Sequence, residues 1–437
     1  MRILVVSATP WSNDNSFGST FSNFFKGIEN LEIASVYCRS GQPEKTVASR
    51  FFQVSAADLL KNLRDKEYPC GRELVSGGSP QSGAEILTPE SKKYFDTARK
   101  LRWQVLFWAN DLIWSIGRWK SEELRKFLLD FRPDVIFQPI YFSKHMNQIA
   151  LYCASVTGAP MVGYVSDDVY TLRQFSLSPL YWIDRIWKRR YVKRTFDACK
   201  LIYTISETQR QEYQEIFHKE CKVLTKSADF SGDPALPEKK DRPMQFVYTG
   251  NIGGGRWKSL ALLAGAIRQA NAEKPCAALV IYTATPITKR MRIALDLPMA
   301  SEIRGQVSAG EIPRIQQEAD VLVHVEGLNR KSRMEVHQSF STKLVDYFHN
   351  CRCVFAIGTP DMASIRHLLD NEAAVVATNK NEVSQKLNLL LSNKTLYNQT
   401  IRKAWECGAK YHNKESMQRM LMEDLNRIVG MTQRENI

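Results

Sequence analysis

The chain has 437 residues and 44% hydrophobic content, which suits two domains of ordinary size with buried cores. Its 60 Lys and Arg residues outnumber its 46 Asp and Glu residues, so the formal net charge is +14. This excess favours anionic partners, such as nucleotide phosphates, acidic lipid headgroups or nucleic acid. No apolar run approaches the roughly 18 residues of a transmembrane helix, and the N-terminal apolar run is too short for a signal peptide. We therefore expect a cytoplasmic protein, with peripheral contact at the inner face of the cell membrane left open.

Nine cysteines are scattered along the chain, and no C-x-x-C pair occurs. Cys351 and Cys353 alternate along a predicted strand but have no partners at zinc-binding spacing. The pattern predicts reduced thiols that pack as small hydrophobic residues, and we expect neither a metal site nor a cofactor.

The first half of the chain alternates short apolar runs with helical patterns. It opens with the apolar run RILVVS at 2–7, a polar loop and a helical pattern, the order that begins a Rossmann-like unit. Further strands are predicted at 31–38, 133–140, 161–168, 199–206 and 221–229, with a helix at 145–160. Residues 40–125 lose this alternation and indicate an irregular, partly helical insertion.

A charged segment with three prolines, residues 233–243, is predicted to link two domains at 1–232 and 243–415. The second domain repeats the order of strand, glycine loop and helix at 244–270. Its later strands are predicted at 277–284, 303–308, 319–326, 353–358 and 373–378. An amphipathic helix follows at 416–437, and whether it packs back on the first domain is left open. The two arrays predict an α/β fold of two doubly wound, Rossmann-like domains that face each other across a cleft.

The glycine loop TGNIGGGRWK of the second domain is the first candidate binding site. Glycines such as Gly250 let a backbone approach a ligand closely, and the N-terminus of the following helix offers N–H groups to a phosphate. Asn251 lies in the loop, while Arg256 and Lys258 add positive charge where the helix begins. The alternative is an ordinary flexible turn.

The stretch STKLVD is the second candidate. Ser341 and Thr342 can cap a helix or contact phosphate oxygens. Lys343 lies in the first helical turn, where a cation opposes the helix dipole, and a bound anion would explain its presence there. Asp346 lies one turn later on the same face and can accept hydrogen bonds from ribose hydroxyls. The alternative is a surface ion pair between Lys343 and Asp346.

These stretches, together with SEIRGQVSAGEIPRIQQEADVLVHVEG, resemble the donor-binding domain of family 4 glycosyltransferases with the GT-B fold, especially bacterial enzymes of surface-polysaccharide synthesis. The resemblance implies that Lys258 and Lys343 hold the diphosphate of a nucleotide sugar and that Asp346 holds its ribose. Asn251 stands where the family usually has arginine, so Arg256 is expected to substitute. Gln338 stands in place of the first glutamate of the family's E-x7-E pattern.

Candidates in the first domain follow from the same resemblance. Gly18 and Ser19 match a glycine loop that approaches the donor. Asp167 and Asp168 fall at the carboxyl end of a predicted strand, where α/β sites are built, and are the catalytic candidates together with Lys343. The alternative for the two aspartates is a helix cap.

The implied activity is transfer of a hexose from a nucleotide-diphosphate sugar, UDP-linked in our expectation, to a hydroxyl of a lipid-linked or polysaccharide acceptor. The resemblance implies retention of anomeric configuration. The chain contains no D-x-D triad, so Lys and Arg are expected to neutralise the leaving diphosphate without a metal. The rivals are a nucleotide-sugar epimerase or hydrolase of the same fold, and a degenerate subunit that binds nucleotide sugar for a partner enzyme.

Two segments, 100–120 and 182–194, interleave tryptophans with basic residues. Such segments lie at anionic bilayer surfaces, or else form buried helices with a solvated basic face. Nucleic acid is not the expected partner because no nucleic-acid-binding module is visible. The sequence does not encode the oligomeric state.

Overall fold

The computed structural model describes residues 1–12, 15–44, 47–74, 104–238 and 240–435. These residues form two separate β-sheets with helices on both faces, which confirms the predicted pair of doubly wound α/β units.

The first sheet has eight strands in the order β4-β3-β2-β1-β5-β6-β7-β8. All neighbouring strands are parallel except β3 and β4. Its strands are β1 (Arg2–Ser7), β2 (Glu32–Tyr37), β3 (Arg50–Gln53), β4 (Arg72–Leu74), β5 (Val135–Pro139), β6 (Met161–Val165), β7 (Cys199–Thr204) and β8 (Cys221–Val223). Its helices are α1 (Ser16–Phe25), α2 (Ala56–Arg64), α3 (Gln104–Ile116), α4 (Glu122–Phe131), α5 (Lys144–Thr157), α6 (Pro179–Ala198) and α7 (Glu207–Phe217).

The second sheet has six parallel strands in the order β11-β10-β9-β12-β13-β14. Its strands are β9 (Met244–Thr249), β10 (Ala277–Tyr282), β11 (Ser301–Arg304), β12 (Val321–Val325), β13 (Cys353–Ile357) and β14 (Val375–Ala377). The helices around it are α8 (Arg256–Ala270), α9 (Lys289–Leu295), α10 (Ile312–Glu318), α11 (Arg330–Val336), α12 (Lys343–His349), α13 (Ala363–Asp370), α14 (Glu382–Ser392), α15 (Lys394–Tyr411) and α16 (Lys414–Glu435).

Each sheet is buried on both faces, which explains why its central strands are nearly continuous apolar runs. Successive side chains of a strand point to opposite faces, so one strand serves two cores. In β1, Leu4 and Val6 belong to one buried cluster, whereas Ile3 and Val5 belong to the cluster on the other face.

Helix α16 crosses back to the first sheet. Leu421, Leu425 and Ile428 are buried in the same cluster as Ile3 and Val5 of β1. The C-terminal helix therefore completes the core of the first half, although it follows the second half in sequence.

Two details of the predicted organisation were wrong. The supposed irregular insertion contains β3 and β4, which extend the first sheet at its edge, and residues 75–103 of it lie outside the described part. The strand expected at 303–308 lies earlier, at Ser301–Arg304. Among the described helices, none is both long and apolar enough to cross a bilayer.

Candidate functional site

The strand order reverses at one point in each sheet, between β1 and β5 in the first and between β9 and β12 in the second. Ligands of open α/β sheets bind beyond the carboxyl ends of the strands at such points. Here the two carboxyl edges meet, because the Ser206 hydroxyl after β7 donates to the Gln338 carbonyl at 2.6 Å. Ser339 and Asp167 approach within 3.5 Å across the same boundary. The described loops thus enclose a cleft between the two sheets.

Lys343 is the cation nearest the start of the glycine loop. Its ammonium donates to the Thr249 carbonyl at 2.8 Å and lies 5.4 Å from the centre of the Tyr248 ring. Burial, aided by the Arg256 guanidinium, lowers the pKa of Lys343 to about 8. A bound anion would favour the charged form and relieve this cost.

The backbone at Gly250 leaves room for that ammonium. Its φ of +148° is one that residues with a side chain rarely adopt, and a Cβ there would collide with the Lys343 amine. Glycine is therefore required if Lys343 is to reach the end of β9.

A buried ion pair lies beside Lys343. The Arg256 Nε donates to Glu326 at 2.9 Å, and Glu326 is only 6% exposed just beyond β12. Burial raises the pKa of Glu326, against the opposing effect of Arg256. The buried His324 is 3.9 Å from Glu326, and burial together with Lys343 and Arg256 lowers its pKa to about 3. The site thus groups two cations, Lys343 and Arg256, around the Glu326 carboxylate.

The expected free N–H groups at the start of α8 are not free. The N–H groups of Arg256, Trp257 and Lys258 donate to loop carbonyls, at 3.1, 3.0 and 3.0 Å. The glycine loop folds over the helix end, so side-chain cations rather than these amides are available to an anion. The side-chain contact of Asn251 is also internal to the loop, because its Oδ1 accepts from the Gly253 N–H at 2.6 Å.

Lys258 is not part of the Lys343 cluster. Its exposed side chain lines a polar cavity of about 500 Å³ between the glycine loop and α11. Lys331 and Glu335 line the opposite wall.

The residues of the STKLVD stretch have separate surroundings. Thr342 precedes α12 without a side-chain cap bond, so the capping alternative is not formed there. The Ser341 N–H donates to the Ser364 hydroxyl at 2.9 Å. Asp346 pairs not with Lys343 but with Lys226, whose ammonium lies 2.6 and 2.7 Å from its two carboxylate oxygens.

Asp167 and Asp168 differ sharply. The Asp168 carboxylate accepts the N–H groups of Tyr170 and Thr171 at 3.1 and 2.7 Å and pairs with buried Arg185 at 3.4 Å. These bonds form a local turn and not the helix cap of the alternative, because the next helix, α6, begins only at Pro179. The Asp167 side chain instead is exposed and contacts Ser339 of the second half at 3.5 Å. The surrounding protein and the neighbouring Asp168 raise its pKa, despite the contact with Ser339.

The family resemblance predicts a loop at Gly18, but this residue lies in the first turn of α1. The Ser12 backbone covers it so closely that a Cβ would collide with that carbonyl. Ser19 is exposed one residue later. Gly18 thus permits close packing of the β1–α1 loop on the helix.

Gln338 belongs to a polar network that the sequence did not reveal. Its side-chain amide donates to Glu212 of α7, and His337 contacts the same carboxylate at 2.8 Å. Arg173 also pairs with Glu212. Burial opposes ionisation of Glu212, but these partners outweigh it and leave its pKa below the ordinary value. A glutamine at position 338 therefore suits this carboxylate, whereas a glutamate would face a like charge.

No protein-family model and no curated protein sequence matches the chain. Solved structures do share its fold. HepE from Anabaena in complex with UDP aligns with a TM-score of 0.61 over 98% of this chain and 100% of that chain, at 11% identity. Sucrose-phosphate synthase from Thermosynechococcus elongatus aligns with a TM-score of 0.60 over 98% and 99%, at 11% identity. A mutant of S. aureus TarM, in complex with fondaparinux, alpha-GlcNAc-glycerol and UDP, gives a TM-score of 0.51 at 12% identity; the match covers 69% of this chain and 58% of TarM.

Proposed function

Because the chain has the fold of GT-B glycosyltransferases, we propose that it transfers a sugar from a nucleotide-diphosphate sugar to an acceptor hydroxyl. The observation that carries the proposal is the approach of the Lys343 ammonium to Gly250 at the switch point of the second sheet. A cation held there at a cost in solvation is suited to a diphosphate. UDP is the proposed nucleotide, since it is bound in the TarM and HepE structures.

The donor would span the carboxyl edge of the second sheet. Lys343 and Arg256 would neutralise the diphosphate, with Lys258 at the outer end of the glycine loop. Gly250 and Asn251 would give the backbone contact, and the Ser341 and Thr342 hydroxyls would lie beside the phosphates. Asp346 would accept hydrogen bonds from the ribose. Ser19, exposed at the start of α1, would approach the donor from the first half, and Gly18 would let the β1–α1 loop pack closely beside it.

In the proposed reaction the acceptor oxygen bonds to the anomeric carbon while the bond from that carbon to the diphosphate breaks. The hydroxyl proton passes to the departing diphosphate, and the configuration is retained. Lys343 and Arg256 would stabilise the charge that develops on the leaving group without a metal. Asp167, rather than Asp168, would orient sugar or acceptor hydroxyls, because its side chain is exposed at the boundary between the halves whereas Asp168 is bonded internally. The transferred group would be a hexose.

The acceptor is proposed to be lipid-linked, because an apolar patch lies next to the cleft. We define this patch by exposed side chains of α3 and of the segment 177–186: Phe107, Leu112, Ile116, Leu177, Leu180, Ile183 and Ile186. Leu177 is 90% exposed. A cavity of about 350 Å³ between α3 and α6 is also lined by Lys144, the first residue of α5 after β5. The patch therefore lies at the carboxyl edge of the first sheet, the edge on which Asp167 lies.

A buried charge network joins the two helices that carry the patch. The Lys188 ammonium lies 3.0 Å from a carboxylate oxygen of Asp111 and 3.0 Å from one of Asp184. Trp108 of α3 donates to Asp184 at 3.0 Å. The apolar side chains are thus held on a fixed surface, and the net charge of +14 suits anionic lipid. A polysaccharide acceptor remains the second candidate within the same cleft.

Nucleotide binding tests the donor site. We would measure thermal unfolding of the wild type, Lys343→Met and Lys394→Met with UDP, GDP, CDP or dTDP. Lys394 is exposed, and its neighbour Tyr397 bonds to Asp320 at the amino edge of the sheet, so it is a control of equal charge. A nucleotide at 100 times its dissociation constant should stabilise the wild type and the control by about 2.7 kcal/mol. The shift should collapse in Lys343→Met, and equal shifts in all three proteins would contradict the proposed site.

Product analysis separates transfer from the rival activities. With UDP-sugar and a polyprenyl-linked acceptor, UDP release should depend on the acceptor. Free sugar or an epimer formed without acceptor would instead support a hydrolase or an epimerase. If the chain binds the nucleotide sugar without turnover, and turnover returns only when a partner protein is added, a non-catalytic subunit would be supported.

Vesicle binding tests the apolar patch. We expect cosedimentation with vesicles that contain phosphatidylglycerol, and its loss in Ile183→Asp and Leu112→Asp. Leu389→Asp, on exposed α14, adds the same charge to a side chain that is 44% exposed and should bind as the wild type does. Equal loss in all three variants would show a charge effect and reject the patch.

A further inference from the structure

Two histidines and a cysteine converge where α13 packs against the end of α15. His367 lies on α13, Cys407 on α15, and His412 directly after α15. The His367 Nε2 is 3.1 Å from the His412 Nε2 and 3.2 Å from the Cys407 sulfur. All three donor atoms lie within 4.8 Å of one another. No other group of three or more His, Cys, Asp and Glu side chains in the described residues has this arrangement.

We propose that His367, Cys407 and His412 bind a divalent metal ion of the zinc class. Imidazole nitrogen and thiolate sulfur are the donors that zinc takes, at about 2.0–2.1 and 2.3 Å. Tetrahedral coordination at these lengths separates neighbouring donors by about 3.3–3.6 Å. The distances from the His367 Nε2 need only a few tenths of an ångström of expansion to reach that range.

The hydrogen bonds around His412 orient it as a ligand. The Thr225 hydroxyl donates to the Lys226 carbonyl at 3.0 Å, so its oxygen can accept from the His412 Nδ1–H at 3.3 Å. This leaves the lone pair on Nε2, the nitrogen that faces the other two residues. Second-shell bonds of this kind are usual for metal-binding histidines.

The burial of the three side chains suits a bound ion that is shielded from solvent but can be reached from one side. Cys407 and His412 are buried, whereas His367 is partly exposed and gives a route for entry. The metal would bind the Cys407 sulfur as a thiolate, and the thiol proton would be released to solvent.

A metal here would fasten the crossing between the two halves. Ala228, just after Thr225, pairs with Asn413, just after His412. Lys226, between them, holds Asp346 of the proposed donor site. The ion would therefore tie α13 to the end of α15 and, through the bond between His412 and Thr225, would fix the segment after β8. It would not touch the reacting groups.

Cobalt(II) substitution tests the site in the full chain after treatment with a chelator. We expect one equivalent of Co(II) to bind with a thiolate-to-metal charge-transfer band, and Zn(II) to displace it. The band should vanish in Cys407→Ser and weaken in His412→Gln. Cys276→Ser and His218→Asn should keep it, because neither residue is near the cluster in described contacts and asparagine tolerates the left-handed backbone at His218.

The wild type alone can overturn the proposal. If it binds Co(II) without a charge-transfer band, or not at all, no thiolate site exists. A band that persists in folded Cys407→Ser assigns the ligand to another cysteine and also rejects the site. If that variant fails to fold, loss of the wild-type band on selective alkylation of Cys407, mapped by mass spectrometry, supports the assignment, and an unchanged band opposes it. None of these outcomes depends on nucleotide binding, so failure here leaves the proposed function separately testable.

Discussion

The Lys226 ammonium contacts both carboxylate oxygens of Asp346, at 2.6 and 2.7 Å, and thereby joins the segment after β8 to helix α12. The carboxylate is held in one orientation before any ligand arrives. A carboxylate has about four acceptor positions, so two remain for ribose hydroxyls. The same pair can therefore serve both the contact between the halves and the proposed donor site.

Replacing either partner should separate these two roles. We expect Asp346→Asn to weaken UDP binding about tenfold and to reduce the preference for UDP over 2′-deoxy-UDP, because an amide accepts fewer hydrogen bonds. Lys226→Met should cost about 1 kcal/mol of stability but keep that preference. Calorimetric titration with both nucleotides checks this. An unchanged preference in Asp346→Asn would show that Asp346 does not bind the ribose.

Gly250→Ala should disrupt the site because a Cβ would collide with the Lys343 amine. We expect a loss of about 1–3 kcal/mol in stability and at least a tenfold loss in nucleotide affinity. Gly265→Ala, in α8 with open space around its Cβ, should be neutral or stabilising by up to about 1 kcal/mol. Denaturant unfolding and nucleotide titration of both variants give the comparison, and similar behaviour of the two would contradict the geometry.

Nucleotide affinity should fall as the pH rises through about 8, the lowered pKa of Lys343. Nucleotide phosphates lose their last proton near pH 6, so a change above pH 7.5 belongs to the protein. The nucleotide affinity should fall by up to about tenfold for each pH unit above 8, and this dependence should disappear in Lys343→Met. A flat wild-type profile to pH 9.5 would show that Lys343 does not act as a cation there.

Unliganded stability should change in the opposite direction. The pKa of Lys343 is lower in the folded chain than the ordinary 10.5, so the unfolded chain holds more protons between these values. The stability cost of burying the charged Lys343 is therefore complete below about pH 8. It is relieved as the pH rises towards the pKa of this lysine in the unfolded chain. Comparing wild type with Lys343→Met by denaturant unfolding isolates this contribution from other titrating groups.

Gln338→Glu should weaken the contact between the halves because its carboxylate would face Glu212. We expect a loss of about 1–3 kcal/mol at neutral pH, diminishing at low pH as one carboxyl gains a proton. Adding Glu212→Gln should restore much of the stability by exchanging the two groups. A double-mutant cycle measures this coupling, and additive losses would show that the contact with Glu212 is not the reason for a glutamine at position 338.

Strands could be predicted from sequence where they are buried on both faces. The central strands β1, β9 and β13 are apolar runs with no competing pattern. Strand β3, next to the edge strand β4, is only four residues long with Arg50 and Gln53 at its ends, and it has no such signal. Helix α5 ends at Thr157, because Gly158 follows it with a φ of +68°.

Local sequence patterns could place Lys343 near the glycine loop, since both follow strands of one sheet. They could not identify Lys226 as the partner of Asp346, 120 residues away, or Glu212 as the partner of Gln338, 126 residues away. For the same reason His367 and Cys407, 40 residues apart, have no recognisable metal-binding spacing. Such pairs depend on how distant segments of the chain pack together, which no short pattern records.

Helix α16 makes the first half depend on the last segment of the chain. Besides filling the apolar core around β1, it places Asp424 where the Tyr203 hydroxyl donates to it at 2.8 Å inside the protein. A fragment cut within 233–243 would leave the first half with an open hydrophobic groove and a buried phenol without its acceptor. The two halves are consequently interlocked along the chain, and coexpressed fragments would have to reassociate to recover either one.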